Sequence, residues 1–208
     1  MSNIGSYDER VKDFSWSIAE KELGYKPGDV INIGWYCTDR VCQQGKGDKV
    51  ALHWEGFTGA EKTFTYNDIR LASNTIAAFL RGLGIAPGER VCLFMDKVPE
   101  LYLGFLGILK TGAIAQPLFS AFGDESLFVR LANAETSAVI TQKKHAPKVR
   151  KILDKLPHLR HLIIVDHDGV APLKDREVAF SLEKAAPVEA FDVHPTTAES
   201  PSVLHYTS

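Results

Sequence analysis

The sequence predicts an α/β fold with a mostly parallel sheet flanked by helices. Four short runs are apolar at nearly every position, and segments with helical periodicity separate them. A strand that is apolar throughout is buried on both faces, and strands that alternate with helices form parallel sheets through right-handed crossovers. The four predicted strands are 91–95, 114–119, 138–141 and 161–165.

Two smaller elements precede this sheet. Residues 7–23 carry apolar side chains at helical spacing, which predicts one amphipathic helix. Residues 50–54 and 62–65 flank a glycine-containing turn, which predicts a small β-hairpin. We therefore divide the chain into an N-terminal helical extension, 1–49, and a first α/β subdomain, 50–208.

The segments between and after these elements complete the prediction. Apolar residues spaced by three and four positions indicate helices at 66–84, 99–110, 124–133 and 147–156. Residues 166–201 are rich in proline and predict loops, with a short helical piece near 180–185. Asp39 and Arg40 lie inside an apolar stretch, where unpaired charges would be costly, so we expect them to anchor that stretch.

Composition excludes several classes of protein. The 24 basic and 26 acidic residues give a formal charge of -2, which provides no overall field for nucleic acid or an acidic membrane. The start of the sequence has no signal-peptide pattern, and no apolar run reaches the roughly 18 residues of a membrane span. We expect a cytoplasmic protein that binds neither nucleic acid nor membrane. The sequence does not indicate an oligomeric state.

The cysteines and histidines predict no metal site. Cys37, Cys42 and Cys92 are an odd number without the spacing of a disulfide framework. Cys37 and Cys42 have no histidine nearby, so reduced thiols are the expected state. The seven histidines are scattered without ligand spacing.

The loops that follow the strands are the candidate functional face, because ligands of open parallel sheets bind beyond the carboxyl ends of the strands. The loop after the second strand contains Phe119, whose aromatic ring could stack on a ligand. The small residues Ser120 and Ala121 follow it. A turn packed on the core explains the same residues.

A basic cluster follows the third strand. Such a cluster is usually a solvated helix face, and its alternative role is to dock a ligand phosphate. Its members are Lys143, Lys144, Lys148, Arg150 and Lys151.

The last seven residues combine β-favouring side chains with a final Thr207-Ser208. Small hydroxyl residues after an apolar strand open the turns that cradle phosphate, although the sequence contains no glycine of such a turn after them. The stretch therefore predicts either an ordinary edge strand or the stem of a phosphate loop.

Nine short segments, in this order, resemble the N-terminal part of AMP-forming acyl-CoA synthetases of the adenylate-forming superfamily, most closely bacterial acetyl-CoA synthetases. Each segment alone is weak evidence for the family, but their occurrence in the family's order makes the resemblance specific from about residue 35 onward. The segments are 39–40, 64–66, 73–74, 88–91, 99–102, 107–114, 117–122, 156–159 and 204–208.

The resemblance implies a reaction and its substrates. A small carboxylic acid would attack ATP in the presence of Mg²⁺ to give an acyl-adenylate and pyrophosphate, and CoA would then displace AMP. Thr207 and Ser208 would begin the loop that holds the ATP phosphates. Phe119, Ser120 and Ala121, with Lys148 and Arg150, would bind the CoA nucleotide. Ser120-Ala121 departs from the glycine pair common in other acetyl-CoA synthetases.

The resemblance also limits the expectation. The remaining adenylation motifs, the acyl pocket and the catalytic lysine of the family lie beyond the last matching segment, so no catalytic residue and no metal ligand is assigned. We expect the 208-residue chain to be inactive by itself and to bind none of ATP, CoA and Mg²⁺ tightly. A synthetase for a larger acid, such as propionate or an aromatic carboxylate, and a non-catalytic binding module are the alternatives.

Overall fold

The computed structural model describes residues 6–170 and 172–207 of the chain. Its main feature is a five-stranded parallel sheet, which confirms the predicted α/β fold. An antiparallel hairpin precedes this sheet in sequence. The strands, numbered along the chain, are β1 Val50–Glu55, β2 Glu61–Thr65, β3 Arg90–Met95, β4 Ile114–Phe119, β5 Ala138–Thr141, β6 His161–Ile164 and β7 Glu177–Ala179.

Eight α-helices are present in the described residues. Two irregular turns accompany them, a π-helical turn at Cys42–Lys46 and a 3₁₀ turn at Leu153–Lys155. The helices are α1 Tyr7–Asp13, α2 Trp16–Leu23, α3 Ile33–Cys37, α4 Asp39–Val41, α5 Tyr66–Gly82, α6 Pro99–Lys110, α7 Asp124–Asn133 and α8 Ala146–Arg150.

The large sheet has helices on both faces. Its strand order is β4-β3-β5-β6-β7, with every neighbouring pair parallel. Leu93 of β3 packs with the apolar residues of α5 and α6, whereas Phe94 packs with those of α7 and α8. Alternate residues of β3 from Val91 to Met95 therefore enter two different cores, which explains why this part of the strand is apolar throughout.

Local signals set the ends of the helices that cover the sheet. Thr65 and Asp68 form a reciprocal capping box at the start of α5, where the Asp68 amide donates to Thr65 Oγ1 at 3.2 Å and the Thr65 amide donates to Asp68 Oδ2 at 2.8 Å. Pro99 begins α6, where a missing backbone N–H costs nothing.

Three helical predictions differ from the structure. The predicted helix 7–23 is two helices, because Phe14 and Ser15 are extended. No residue of either helix is buried, so no packing enforces one continuous helix. The predicted helix 147–156 is divided between α8 and the 3₁₀ turn, and near 180–185 there are only turns after β7.

Asp39 anchors its stretch as expected, but its partner is not Arg40. Asp39 Oδ2 lies 2.6 Å from the Nζ atom of Lys110, whose side chain is fully buried at the end of α6. Arg40 donates instead to the carbonyl of Glu22 in α2. The ion pair between Asp39 and Lys110 therefore attaches the N-terminal segment to the helical layer.

Glu89 stabilises the end of the sheet where the strands begin, because it lies next to the first residues of three of them. Its carboxylate accepts hydrogen bonds from Arg160 at 2.7 and 2.8 Å, the Ala86 amide at 2.8 Å and the Ser137 hydroxyl at 3.0 Å. The bonds from Arg160 contribute most to lowering the pKa of Glu89 from 4.5 to about 2, against the effect of burial. Glu89 therefore stabilises the fold only while it is ionised.

We expect Glu89→Gln to lower the free energy of unfolding by about 2 kcal/mol at pH 7, because charge-assisted hydrogen bonds are lost. The folded pKa lies below the unfolded one, so this stabilisation is complete above about pH 4.5 and decreases as the pH falls toward about 2. Urea denaturation of both proteins between pH 7 and pH 3 measures the difference. A difference that does not shrink below pH 4.5 would contradict this role.

No helix among the described residues is long and apolar enough to cross a membrane.

Candidate functional site

The carboxyl ends of the parallel strands lie along one edge of the sheet, which we call the rim. The rim consists of the residues that follow β3, β4 and β5, namely 96–98, 120–123 and 142–145. Parallel sheets bind ligands at this edge because the loops there can approach a ligand from several strands.

The loop after β4 presents an aromatic surface. Phe119 is 66% exposed, and its ring lies edge-on to that of Phe122 at a centroid distance of 5.9 Å. Ser120 is half-buried and Ala121 is exposed. An exposed ring beside small residues is a surface on which a planar ligand can stack.

Lys148 closes this loop from α8. Its Nζ atom donates to the carbonyls of Ser120 at 2.9 Å and Phe122 at 3.1 Å, and it lies 5.6 Å from the centroid of the Phe94 ring. The structure thus brings Lys148 together with Ser120, two residues that the sequence analysis assigned to one site. A third ammonium proton remains for another acceptor.

Lys148 differs from the rest of the basic cluster in its charge balance. Four members form ion pairs with carboxylates: Lys143 with Asp168, Lys144 with Asp96, Arg150 with Glu177 and Lys151 with Asp124. Within residues 6–170 and 172–207, Lys148 has no carboxylate within ion-pair distance. It is therefore the uncompensated cation of the cluster.

Arg150 lies on the other side of α8. Its Nε atom is 2.6 Å from Glu177 Oε1 and its Nη2 atom is 3.2 Å from Oε2. Burial alone would raise the pKa of Glu177, but bonds from Arg150 and the Lys174 amide hold it below its ordinary value. Because β7 and β4 are opposite edges of the sheet, Arg150 is directed away from the loop that holds Ser120.

Asp96 is a rim residue that the sequence analysis missed. Its Oδ1 atom accepts hydrogen bonds from the Ser120 hydroxyl and from His145 Nε2, both at 2.8 Å, and its other oxygen pairs with Lys144. Bonds from Lys144 contribute most to holding the pKa of Asp96 well below its usual range, against partial burial, with further support from Ser120 and His145. Its position directly after a buried strand was the signal that could have identified it.

The last residues extend the sheet at the β4 edge. Val203 forms a parallel bridge with Ala115, whose amide donates to the Ser202 carbonyl at 2.9 Å. This direction carries Thr207 toward the rim. The Tyr206 hydroxyl lies 3.0 Å from the Arg130 carbonyl oxygen and 2.8 Å from Asn133 Oδ1, two acceptors that share its one proton. Ser208 lies outside the described residues.

Comparison with solved structures supports the fold. A crystal structure of Brucella canis acyl-CoA synthetase superposes with a TM-score of 0.83 at 24% identity, over 97% of this chain and 36% of that chain. A crystal structure of an anthranilate CoA ligase in complex with anthranoyl-AMP superposes with a TM-score of 0.72 at 22% identity, over 86% of this chain and 32% of that one.

Curated relatives carry related names. Acetyl-coenzyme A synthetase of Bacillus subtilis is 32% identical over 99% of this chain and 35% of its own length. The enzyme of the same name from Streptomyces coelicolor is 28% identical over 96% of this chain and 32% of its own length. The chain thus spans about a third of the length of these relatives.

The family described as AMP-binding enzyme matches residues 38–208, which include the whole sheet, the rim and the basic cluster. The resemblance inferred from short segments of the sequence is therefore confirmed over most of its length. The chain belongs to the AMP-binding enzyme family.

Proposed function

We propose that this chain forms the N-terminal part of an AMP-forming acyl-CoA ligase and that its rim holds the nucleotide of CoA. The observation that carries the proposal is the uncompensated ammonium of Lys148, which is half-buried against the loop 120–123. A cation without a carboxylate partner favours a phosphate in its place. The names of the relatives support acetate as the acid and CoA as a second substrate, and membership of the AMP-binding enzyme family supports ATP as the third.

Each residue at or beside the rim has a separate role in this proposal. Phe119 offers its exposed ring to the adenine, while Ser120 and Ala121 allow close approach to the backbone. Lys148 donates its remaining proton to the 3′-phosphate of CoA. Arg150 stays paired with Glu177 and fixes α8, so Lys148 rather than Arg150 is the phosphate ligand that we favour.

The proposal assigns binding, and not the chemical steps, to these residues. Phosphoryl chemistry depends on neutralising the charge that develops on the ATP phosphates. Thr207 and Ser208 are proposed to begin the loop that holds those phosphates, and no residue of the chain is assigned to Mg²⁺. We therefore expect that the chain alone does not release pyrophosphate from ATP when acetate is added, and coupled detection of pyrophosphate would reveal any such activity.

Replacing Lys148 with methionine tests the phosphate contact. Nuclear magnetic resonance titrations of the ¹⁵N-labelled chain compare CoA with dephospho-CoA, which lacks the 3′-phosphate. We expect Lys148→Met to weaken CoA about 10-fold, because a charge-assisted hydrogen bond is worth about 1.5–3 kcal/mol. The affinity for dephospho-CoA should fall much less in the same variant. This difference distinguishes loss of the phosphate contact from a general disturbance of the loop.

Lys151→Met is the matched control. Lys151 follows α8 directly, is 66% exposed and pairs with Asp124 at 2.9 Å, so its loss should leave CoA affinity unchanged. Equal losses for CoA and dephospho-CoA in Lys148→Met, or equal effects of both substitutions, would contradict the proposed role of Lys148.

A further inference from the structure

Three rim loops meet at one carboxylate. Asp96 is the first residue after β3, Ser120 is the first after β4, and Lys144 and His145 lie in the loop that follows β5. Hydrogen bonds or ion pairs join Asp96 to each of these residues. In addition, the Asp96 amide donates to Gln142 Oε1 at 3.0 Å, so backbone and side chain both hold the β5 loop.

This arrangement fixes Ser120 from two directions. Its hydroxyl donates to Asp96, and its carbonyl accepts from Lys148. The hydrogen bond from Ser120 to Asp96 joins the β4 loop to β3, and the hydrogen bond from Lys148 joins it to α8. A residue tethered at both its side chain and its backbone has little freedom to move, so the geometry of the β4 loop depends on Asp96.

Asp96 is paired with cations other than Lys148. Its carboxylate is shared between Lys144 and His145, and Lys148 has no carboxylate partner among the described residues. The contact with Lys144 is at the surface, since that side chain is 58% exposed, whereas the His145 side chain is only 14% exposed. The buried side of the Asp96 carboxylate therefore faces the β4 and β5 loops.

We propose that Asp96 is a positioning residue, whose carboxylate locks the β4 and β5 loops together so that Lys148 and the Ser120 backbone present one preformed surface to a ligand phosphate. This inference rests on the proposed CoA site. It adds a residue that touches no ligand and acts through Ser120 and His145.

Electrostatics and positioning predict opposite results for removal of Asp96. An anion beside a phosphate site repels the ligand, so its removal by field effects alone would tighten CoA binding. Loss of the hydrogen bond between Ser120 and Asp96 instead leaves the loops mobile before binding. Part of the binding free energy is then spent on ordering them, and CoA binds more weakly. The sign of the change in affinity therefore distinguishes the two effects.

The test is the same titration of the ¹⁵N-labelled chain with CoA. We expect Asp96→Ala to weaken the binding of CoA about 10-fold, although the substitution removes a negative charge from the site. A binding site that loses a supporting side chain loses affinity. Asp96→Asn keeps an oxygen that can accept the Ser120 hydroxyl and should bind within about 3-fold of the native chain. Ser120→Ala keeps the carboxylate and removes only the tether, so it should also weaken CoA.

Two results would overturn the inference: Asp96→Ala binding CoA as tightly as the native chain or more tightly, or Ser120→Ala binding it without loss. Ser120→Ala removes one hydroxyl from a half-buried position, so it keeps the test decisive if Asp96→Ala does not fold. Unfolding curves of each variant would show that the titrations are made on folded protein.

A readout without ligand separates this inference from the proposed function. Hydrogen exchange of the amides in 120–123 and 142–146 should accelerate together in Asp96→Ala, and unchanged exchange would contradict the coupling of the loops. If the native chain does not bind CoA, or Lys148→Met leaves its affinity unchanged, the proposed function fails while the exchange data still test Asp96.

Discussion

Asp39→Ala is expected to lower the free energy of unfolding by about 3–5 kcal/mol, because it leaves a buried ammonium without its counter-ion. The Lys110 side chain is 0% exposed and lies 2.6 Å from Asp39. Burial lowers the pKa of Lys110, and the pairing with Asp39 opposes that shift. After the substitution, the Asn74 side-chain oxygen at 2.6 Å is the remaining hydrogen-bond acceptor of Lys110 among the described residues.

Two further variants show whether the ion pair is the cause. Asp39→Ala combined with Lys110→Met should be more stable than Asp39→Ala alone, because the buried charge is removed together with its partner. Asp124→Ala breaks the exposed pair with Lys151 and should cost only about 0–1 kcal/mol. Urea denaturation followed by circular dichroism measures all of them. A loss in Asp39→Ala no larger than that in Asp124→Ala would contradict the buried ion pair.

Gly107→Ala is expected to destabilise the fold by about 3 kcal/mol, at the upper end of the cost of overpacking a core. Gly107 is buried in α6 where this helix crosses α5. A Cβ atom at this position would lie 2.7 Å from Ile76 Cγ2, 2.9 Å from Ile76 Cβ and 3.1 Å from the Ser73 carbonyl oxygen. The Ser73 oxygen belongs to the backbone of α5 and Ile76 Cβ is bonded to it, so neither atom can move away by a side-chain rotation. The two helices must therefore move apart to make room for the methyl group.

Gly82→Ala is the control for this substitution. Gly82 is the last residue of α5, and a Cβ atom there would meet nothing within 4 Å. Its replacement should leave the free energy of unfolding unchanged or raise it by up to about 1 kcal/mol, because alanine favours the helical conformation. If Gly107→Ala is as stable as Gly82→Ala in urea denaturation, the close crossing of α5 and α6 is wrong.

The repeated units of the fold were predictable because their signals are local. The strands β3 to β6 are apolar at nearly every position, and the helices between them carry apolar residues at three- and four-residue spacing. The strand β7 was not predicted, since its first residue, Glu177, is charged. Its burial requires Arg150, which is 27 positions earlier in the chain, and no local pattern indicates that contact.

In the candidate site, too, local sequence patterns identified some residues and missed those whose role depends on distant contacts. The sequence placed Lys148 and Ser120 in one site through a family resemblance, and the structure brings them into contact. Asp96 was missed because its importance lies in partners that follow two other strands. Charge pairing across the fold, rather than the density of lysines in the sequence, is what distinguishes Lys148 from its neighbours.

The most direct test of the central claim is to map where CoA binds on the ¹⁵N-labelled chain. If the rim holds the CoA nucleotide, chemical-shift changes will concentrate in residues 119–123 and 142–148 and will saturate with one dissociation constant. Shift changes that are absent at saturating CoA, or that concentrate around Glu89 at the opposite end of the sheet, would contradict the claim.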